Sequence, residues 1–502
     1  MKKLFFVCLC CLSTHLFAQE TAPKPTENKP TVAITAPVVT KHQTTINGVT
    51  FTYTATTGFL QIMRNEDPKM KANIFFIAYT RDDVKDLSKR AVTFTYNGGP
   101  GSASVWLHMG CIGPKRIIMS DKGEAQAPPY KYVNNEYSWL DKTDLVFIDP
   151  VNTGYSRAAD GSNQRDFLGY VEDIESVGEF IRLYATKYGR WGSPKFLAGE
   201  SYGTTRSAGL SGFLQDRFNM YINGVTLIST ILNFQTARFT PGNDLPYSLF
   251  LPTYTAMAWY HKKIAPKYQG DLQKTLKAVE DFALNEYSTV LMKGDVATDA
   301  EKKSVITKLS EFTGLSEQYI KNTQMRIEIS RFCKELLRNE GKTAGRLDGR
   351  MTGTDYDNAG EKNEFDPSLD ATISGPYSGT VNHYLRQELK LENDLPYLIL
   401  TGRVQPWNYS NVQNQYLNVA ETLRQAMAKN PYLKVHVMAG YYDLATPYFA
   451  AEYTFNHMML NSEQKKNVRW SYYEAGHMMY IHKESLLKMK KETDNFYDDV
   501  LK

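Results

Sequence analysis

Five apolar, β-rich runs set the tightest limit on what this chain can fold into: "NIFFIAYT", "AVTFTY", "DLVFID", "KFLAG" and "GVTLIS". Their apolar residues follow one another almost without a break, as in strands buried on both faces. Between the third and fourth lies "YVEDIESVGEFIRLYATKYG". There Val171, Ile174, Val177, Phe180, Ile181 and Tyr184 recur at helical spacing. Strands of this kind alternating with helices predict an α/β fold built on a doubly wound, mostly parallel sheet. Near the end, "KVHVMAG" and "VRWSYYEAG" read as two final strands. Upstream, "TTINGVTFTYTATTGFLQIM" alternates about Asn47-Gly48, a strong hairpin signal. With 502 residues, 42% hydrophobic and 22% charged, the chain has ample material for a large core.

The pattern changes between residues 236 and 395. Lys, Glu and Leu dominate helical stretches such as "YQGDLQKTLKAVEDFALNEYSTVLM" and "SEQYIKNTQMRIEISRFCKELLRNEG". The loop "GRLDGRMTGTDYDNAGEKNEFDPSLD" is rich in Gly and Asp, but its acids miss the EF-hand spacing, so it reads as solvated. The whole segment is expected to be a helical cap inserted between two parts of one sheet domain, residues 42–235 and 396–502.

The chain opens with Lys2 and Lys3, an apolar run from Leu4 to Leu12, and "LFA" before Gln19. Residues 1–18 read as a signal peptide cleaved near Ala18, which implies a secreted or periplasmic protein. Leu4 to Leu12 is too short to span a bilayer, so no stable membrane insertion is expected. Cys8, Cys10 and Cys11 do not follow a small residue, which weakens a lipid-anchor reading. Residues 19–41, rich in Pro, Thr and Lys, read as a flexible tether. Loss of Lys2 and Lys3 with the leader lowers the formal net charge from +4 to +2, too little to argue for nucleic acid. Of the five cysteines only Cys111 and Cys333 then remain. They form either one bridge or, by default, two buried free thiols.

Within this frame "FLAGESYGTTRSAGL" places Ser201 in G-x-S-x-G, between an apolar run and a small-residue helix. That is the nucleophile-elbow pattern, although such pentapeptides also occur in ordinary turns. In the α/β-hydrolase order, Ser is followed by an acid and then a His. "KVHVMAGYYDLATPY" puts Asp443 just past one predicted strand, and "VRWSYYEAGHMMY" puts His477 just past the next. Taken singly, Asp443 reads equally as a turn residue and His477 as a core histidine. His482 is an alternative base, and His477 is preferred because Gly476 sets it at the strand end. The strand "AVTFTY" runs into Asn97-Gly98-Gly99-Pro100-Gly101. Glycines there let backbone N–H groups approach an anion, which assigns the Gly99 and Tyr202 N–H groups to an oxyanion hole. No Gly-Lys-Ser/Thr follows, so a phosphate loop is not supported.

Together, "NGGPGSAS", "GESYG", "GYYDLATP" and "AGHMMY" resemble the signature blocks of the serine carboxypeptidase family, peptidase family S10. "DLVFIDPVNTGYS" and the Gly113-Pro114 turn resemble it too. The resemblance covers residues 45–235 and 396–490 and implies an α/β-hydrolase fold with a Ser201-His477-Asp443 triad. It implies peptide substrates with a free C-terminus and no metal or nucleotide cofactor. It also implies that Asn97 and Glu200 hold the substrate's terminal carboxylate. A carboxylate beside Glu200 would raise its pKa, so that its protonated form donates a hydrogen bond. Many relatives pair this Glu with a second one, and by count from the NGGPG block Cys111 stands there. Lys115 or Arg116 could supply a positive charge instead, the alternative being that both decorate the surface. Rival readings are an esterase or acyltransferase on the same fold, a lipase-like enzyme with the insertion as lid, and a catalytically silent binding protein. Nothing in the sequence speaks to oligomeric state.

Overall fold

Asn47 and Gly48 both take positive φ, 50° and 77°, as a two-residue hairpin turn of the primed type requires. They join strand β1 (Val38–Ile46) to β2 (Val49–Met63) in the computed structural model, which describes residues 36–502. The signal peptide, its cleavage position, Cys8, Cys10, Cys11 and the tether up to residue 35 lie outside the described residues. The end of the expected tether is corrected, because β1 begins at Val38. Each residue from Val38 to Ile46 is in register with β2, so ladder pairing outweighs a linker-like composition.

The remaining main strands are β3 (Lys71–Arg81), β4 (Ala91–Tyr96), β5 (Thr143–Ile148), β6 (Lys195–Ser201), β7 (Gly224–Thr230), β8 (Lys434–Gly440) and β9 (Val468–Tyr473). They line up as β1-β2-β3-β5-β4-β6-β7-β8-β9, with a two-residue strand, Arg157–Ala158, beside β3. From β5 onward every neighbouring pair is parallel, while β1, β2 and β3 add an antiparallel edge. This is the doubly wound, mostly parallel sheet that the unbroken apolar runs call for.

Alternate residues of β3 feed two cores. Phe75, Ile77 and Tyr79 pack on one face with Tyr384 of α6 (Ser374–Gln387) and Met489 and Tyr497 of α9 (Lys483–Val500). Ile74, Phe76 and Ala78 pack on the other with α1 (Tyr170–Lys187), α2 (Tyr202–Phe218) and α7 (Ala420–Lys429). Each buried Ile or Phe among them contributes roughly 1.5–3 kcal/mol. In α1 the expected stripe is buried except Val171, which is 36% exposed at its edge.

Helices α3 (Leu245–Tyr260), α4 (Leu272–Phe282) and α5 (Asp299–Thr313) build a third core with Tyr441, Tyr442 and α8 (Tyr448–Asn456). The inserted segment is therefore helical, yet its last helix, α6, packs into the core of the sheet domain. The acidic loop is corrected in part: Asp348 pairs with Arg350 at 2.7 Å and Asp355 with Lys334 at 2.5 Å, all four side chains buried. Cys111 and Cys333 are buried and free. Among the described residues no helix is long and apolar enough to cross a membrane.

Candidate active site

Ser201 closes β6 and precedes α2 with φ 61° and ψ −129°. A non-glycine residue in such a region costs about 1–3 kcal/mol, and the sharp turn lifts the side chain out of the strand ladder. The flanking glycines are required by contact. A Cβ on Gly199 would lie 2.1 Å from the Gly203 carbonyl oxygen, and one on Gly203 would lie 2.8 Å from the Tyr96 carbonyl oxygen. A Cβ on Gly98 would meet the Tyr202 nitrogen at 2.4 Å, so the Asn97–Gly101 turn lies directly against the elbow. As the first residue of α2, Tyr202 has an N–H with no partner inside the helix, at the helix's positive end.

Asp443 and His477 follow β8 and β9, and His477 Nδ1 lies 2.7 Å from Asp443 Oδ2. Asp443 also accepts from the backbone N–H of Ala445 (2.7 Å) and Thr446 (3.0 Å) and from the Thr446 hydroxyl (2.6 Å). Burial alone would raise its pKa, but the His477 charge and these bonds outweigh burial and hold it below the ordinary carboxylate value. Burial likewise opposes charge on His477, and Asp443 more than offsets it, so the imidazole pKa sits above 6.5. The loop itself is pinned. His477 N–H donates to the Leu347 carbonyl at 2.6 Å, its carbonyl accepts from the Ser229 hydroxyl at 2.6 Å, and Gly476 N–H donates to Asp348 at 3.1 Å. With Nδ1 on Asp443, Nε2 is the nitrogen free to exchange a proton.

Ser201 and His477 line one cavity of about 490 Å³, together with Asn97, Gly99, Glu200 and Tyr202. Among the described residues the imidazole bonds only Asp443 and Thr446 (3.3 Å), so its approach to the Ser201 hydroxyl is looser than a hydrogen bond. Serine–histidine contacts of this type commonly tighten only around substrate. His482 is not brought to the site, since its Nδ1 pairs with Ser485 Oγ at 2.9 Å.

Glu200 is buried behind the nucleophile. Its Oε1 accepts from Asn97 Nδ2 at 2.9 Å and its Oε2 from the Tyr480 hydroxyl at 2.5 Å. Burial pushes its pKa up to about 7, against the opposing pull of the His477 charge and the Tyr480 and Asn97 bonds. Asn97 is fixed in turn: its Oδ1 accepts from Leu107 N–H at 3.0 Å and its carbonyl from Arg206 at 2.6 Å. Arg206 is itself buried against Asp173 at 2.8 Å.

The cationic substitute for a second acid is corrected. Arg116 pairs with Glu136 at 3.0 Å and Lys115 with Glu388 at 2.8 Å, and Arg116 lines a separate 210 Å³ cavity bounded by Tyr377 and Tyr480. Local carboxylates thus take up both cations. The partner that Glu200 gains is Tyr480, whose ring enters where Gly110 leaves space. A Cβ on Gly110 would lie 2.4 Å from that ring. Sequence reasoning missed Tyr480, Thr446, Arg206 and Asp348. Tyr480 and Thr446 had a signal, since each falls three residues after a triad candidate. Arg206 stood out as the one charge within the small-residue start of α2. Asp348 gave none, because its role depends on where the insertion folds back.

The sequence profile of peptidase family S10, serine carboxypeptidase, matches residues 47–491. The chain belongs to the serine carboxypeptidase family. Among curated serine carboxypeptidase relatives, it is 30% identical over 136 residues to the pheromone-processing carboxypeptidase KEX1 of Debaryomyces hansenii, covering 27% of this chain and 18% of that protein. It is 29% identical over 140 residues to the carboxypeptidase Y homolog A of Podospora anserina, covering 28% and 22%. The chain therefore spans only a fifth or so of the curated relatives it matches. Its fold is similar to the crystal structure of Kex1(delta)p, a prohormone-processing carboxypeptidase from Saccharomyces cerevisiae. The TM-score is 0.55 at 14% identity, over 89% of this chain and 91% of that one.

Proposed function

We propose that this chain is a serine-type carboxypeptidase that removes the last residue of peptides with a free C-terminus. The observation that carries the reading is the shared cavity. A strained serine, an Asp-fixed imidazole and a buried carboxyl that burial pushes toward its protonated form all face one space. The first two supply acyl transfer, and the third supplies a reason to prefer a terminal carboxylate.

In this mechanism Ser201 Oγ attacks the carbonyl carbon of the last peptide bond while His477 Nε2 takes its proton. The oxyanion is held by the N–H groups of Gly99 and Tyr202, aided by the positive end of α2. Collapse breaks the C–N bond, and the departing amino acid takes the proton from His477. Water then enters and gives a proton to Nε2 as its oxygen bonds the acyl carbon. The C–Oγ bond breaks, Ser201 Oγ takes that proton back from His477, and the shortened peptide leaves as a carboxylic acid. Asp443 keeps the proton of the neutral ring on Nδ1 and stabilises the imidazolium. Protonated Glu200 donates to the substrate carboxylate, with Asn97 Nδ2 beside it. Two ionised carboxyls at that contact would repel, so a neutral Glu200 is the competent form.

Paired peptides with free and amidated C-termini, digested and read by mass, test the reading. Stepwise loss of single residues from the free peptide alone supports it. Equal cleavage of both would replace it with an endopeptidase or amidase, and attack on simple esters alone would favour an esterase. The basic, then apolar, start up to Ala18 supports export. A mature N-terminus at Gln19 is the expected mass result.

A further inference from the structure

The carboxypeptidase reading leaves the preferred side chains open, and two arginines bear on them. Besides Glu200 and His477, the charged residues lining the cavity are Arg238 and Arg346, both exposed to it. Several other arginines are closed by a carboxylate at hydrogen-bond distance, as in Arg116–Glu136, Arg326–Asp244 and Arg350–Asp348. Arg238 bonds the Tyr409 hydroxyl instead, and Arg346 meets its carboxylate only at longer range. The Arg238 guanidinium lies 5.4 Å over the Phe234 ring, beside Tyr409, and among the described residues no carboxylate pairs with it. Arg346 Nε stands 3.9 Å from Asp366 Oδ2, too far for a hydrogen bond. The other Asp366 oxygen is occupied by the backbone N–H groups of Arg346 and Ser368, both at 3.0 Å. Neither guanidinium is closed by a bidentate carboxylate, so each keeps N–H groups for an incoming anion.

They also belong to different neighbours of the nucleophile, Arg238 to the elbow side and Arg346 to the histidine loop. Phe234, which carries Arg238, packs against Tyr202, the residue after Ser201. Arg346 precedes Leu347, whose carbonyl anchors His477. On the proposed mechanism the substrate's terminal carboxylate goes to Asn97 and Glu200, so these guanidiniums remain for side chains. We infer that the cavity selects peptides with acidic side chains, Asp or Glu, flanking the scissile bond. Arg238 and Arg346 are the specificity-determining residues. Ile231, Phe250 and Ile373 in the same lining are apolar and accept the methylenes of such side chains.

The test is kcat/KM on four N-blocked dipeptides carrying Gln or Glu at each of the two positions, near pH 6. There side-chain carboxylates are ionised and Glu200, its pKa pushed up to about 7 by burial, is mostly protonated. A Glu-for-Gln preference of about five- to tenfold is expected, the scale of one or two partly exposed ion pairs. It should shrink at about 0.5 M salt by screening. Arg238→Gln and Arg346→Gln should each bring the Glu/Gln ratio toward one, and the double variant should abolish it. Gln peptides cleaved as fast as Glu peptides by the unaltered protein, or a ratio that survives the double variant, would overturn this inference alone. Failure to cleave any of the four would overturn the carboxypeptidase reading with it.

Discussion

Asp443 and Glu200 are both buried carboxyls that feel the charge of His477, yet their surroundings push them apart. Asp443 receives four hydrogen bonds, two from backbone N–H groups, and stays ionised below the usual range. Glu200 receives two, from Asn97 and Tyr480, and burial wins. Two carboxyls around one histidine are thus pushed toward opposite protonation states, by donor count against desolvation. On the proposed mechanism one serves as a fixed negative charge and the other as a proton donor to substrate.

Removing the nucleophile should silence both roles. Ser201→Ala is expected to lower kcat by at least about 10⁴-fold on every substrate, and to abolish labelling by a fluorophosphonate probe. Asp443→Asn removes the ionised member. A drop of about 10⁴-fold in kcat is expected, equal for free-acid peptides and simple esters, because the wrong imidazole tautomer harms all acyl transfer. Glu200→Gln removes the titrating member. Here a free-acid peptide should lose about 10- to 100-fold in kcat/KM while an ester lacking the carboxylate loses little, the scale of one charge-assisted hydrogen bond. An equal loss on both would erase the distinction between the two carboxyls.

The smallest change sharpens it most. The Tyr480 bond stabilises ionised Glu200, so Tyr480→Phe should raise the Glu200 pKa further. Activity on free-acid peptides then persists to higher pH, by up to about one unit, with only a few-fold change in maximal rate. A shift of the falling limb to lower pH would contradict the assigned direction.

The sheet and the sites of Ser201, Asp443 and His477 were legible because strand burial and strand ends write themselves into local sequence. Unbroken apolar runs marked β3 to β7, two later runs marked β8 and β9, and each triad candidate sits at the end of a strand or a few residues past it. Gly199 and Gly203 were legible as a motif, although only the structure shows which carbonyls demand them. What was not legible depends on partners far along the chain. Arg116 looked free until Glu136 came beside it across a small hairpin. The link from Asp348 to Gly476 joins the insertion to the histidine loop, and no local pattern forecasts it. Val38 to Lys41 were misread as tether because their strand is written in its partner, β2.

The most direct test of the contrast between the two carboxyls is the pH profile of kcat/KM, which reports the free enzyme. It should be measured on one blocked dipeptide as free acid and as C-terminal ester. Protonation of His477 should limit both substrates on the acid side. Because His477 and Glu200 perturb one another, the limbs belong to the pair. Above about pH 7, where Glu200 ionises, the free acid alone should decline, and Glu200→Gln should remove that decline. A falling limb shared by acid and ester, or one that survives Glu200→Gln, would contradict the account.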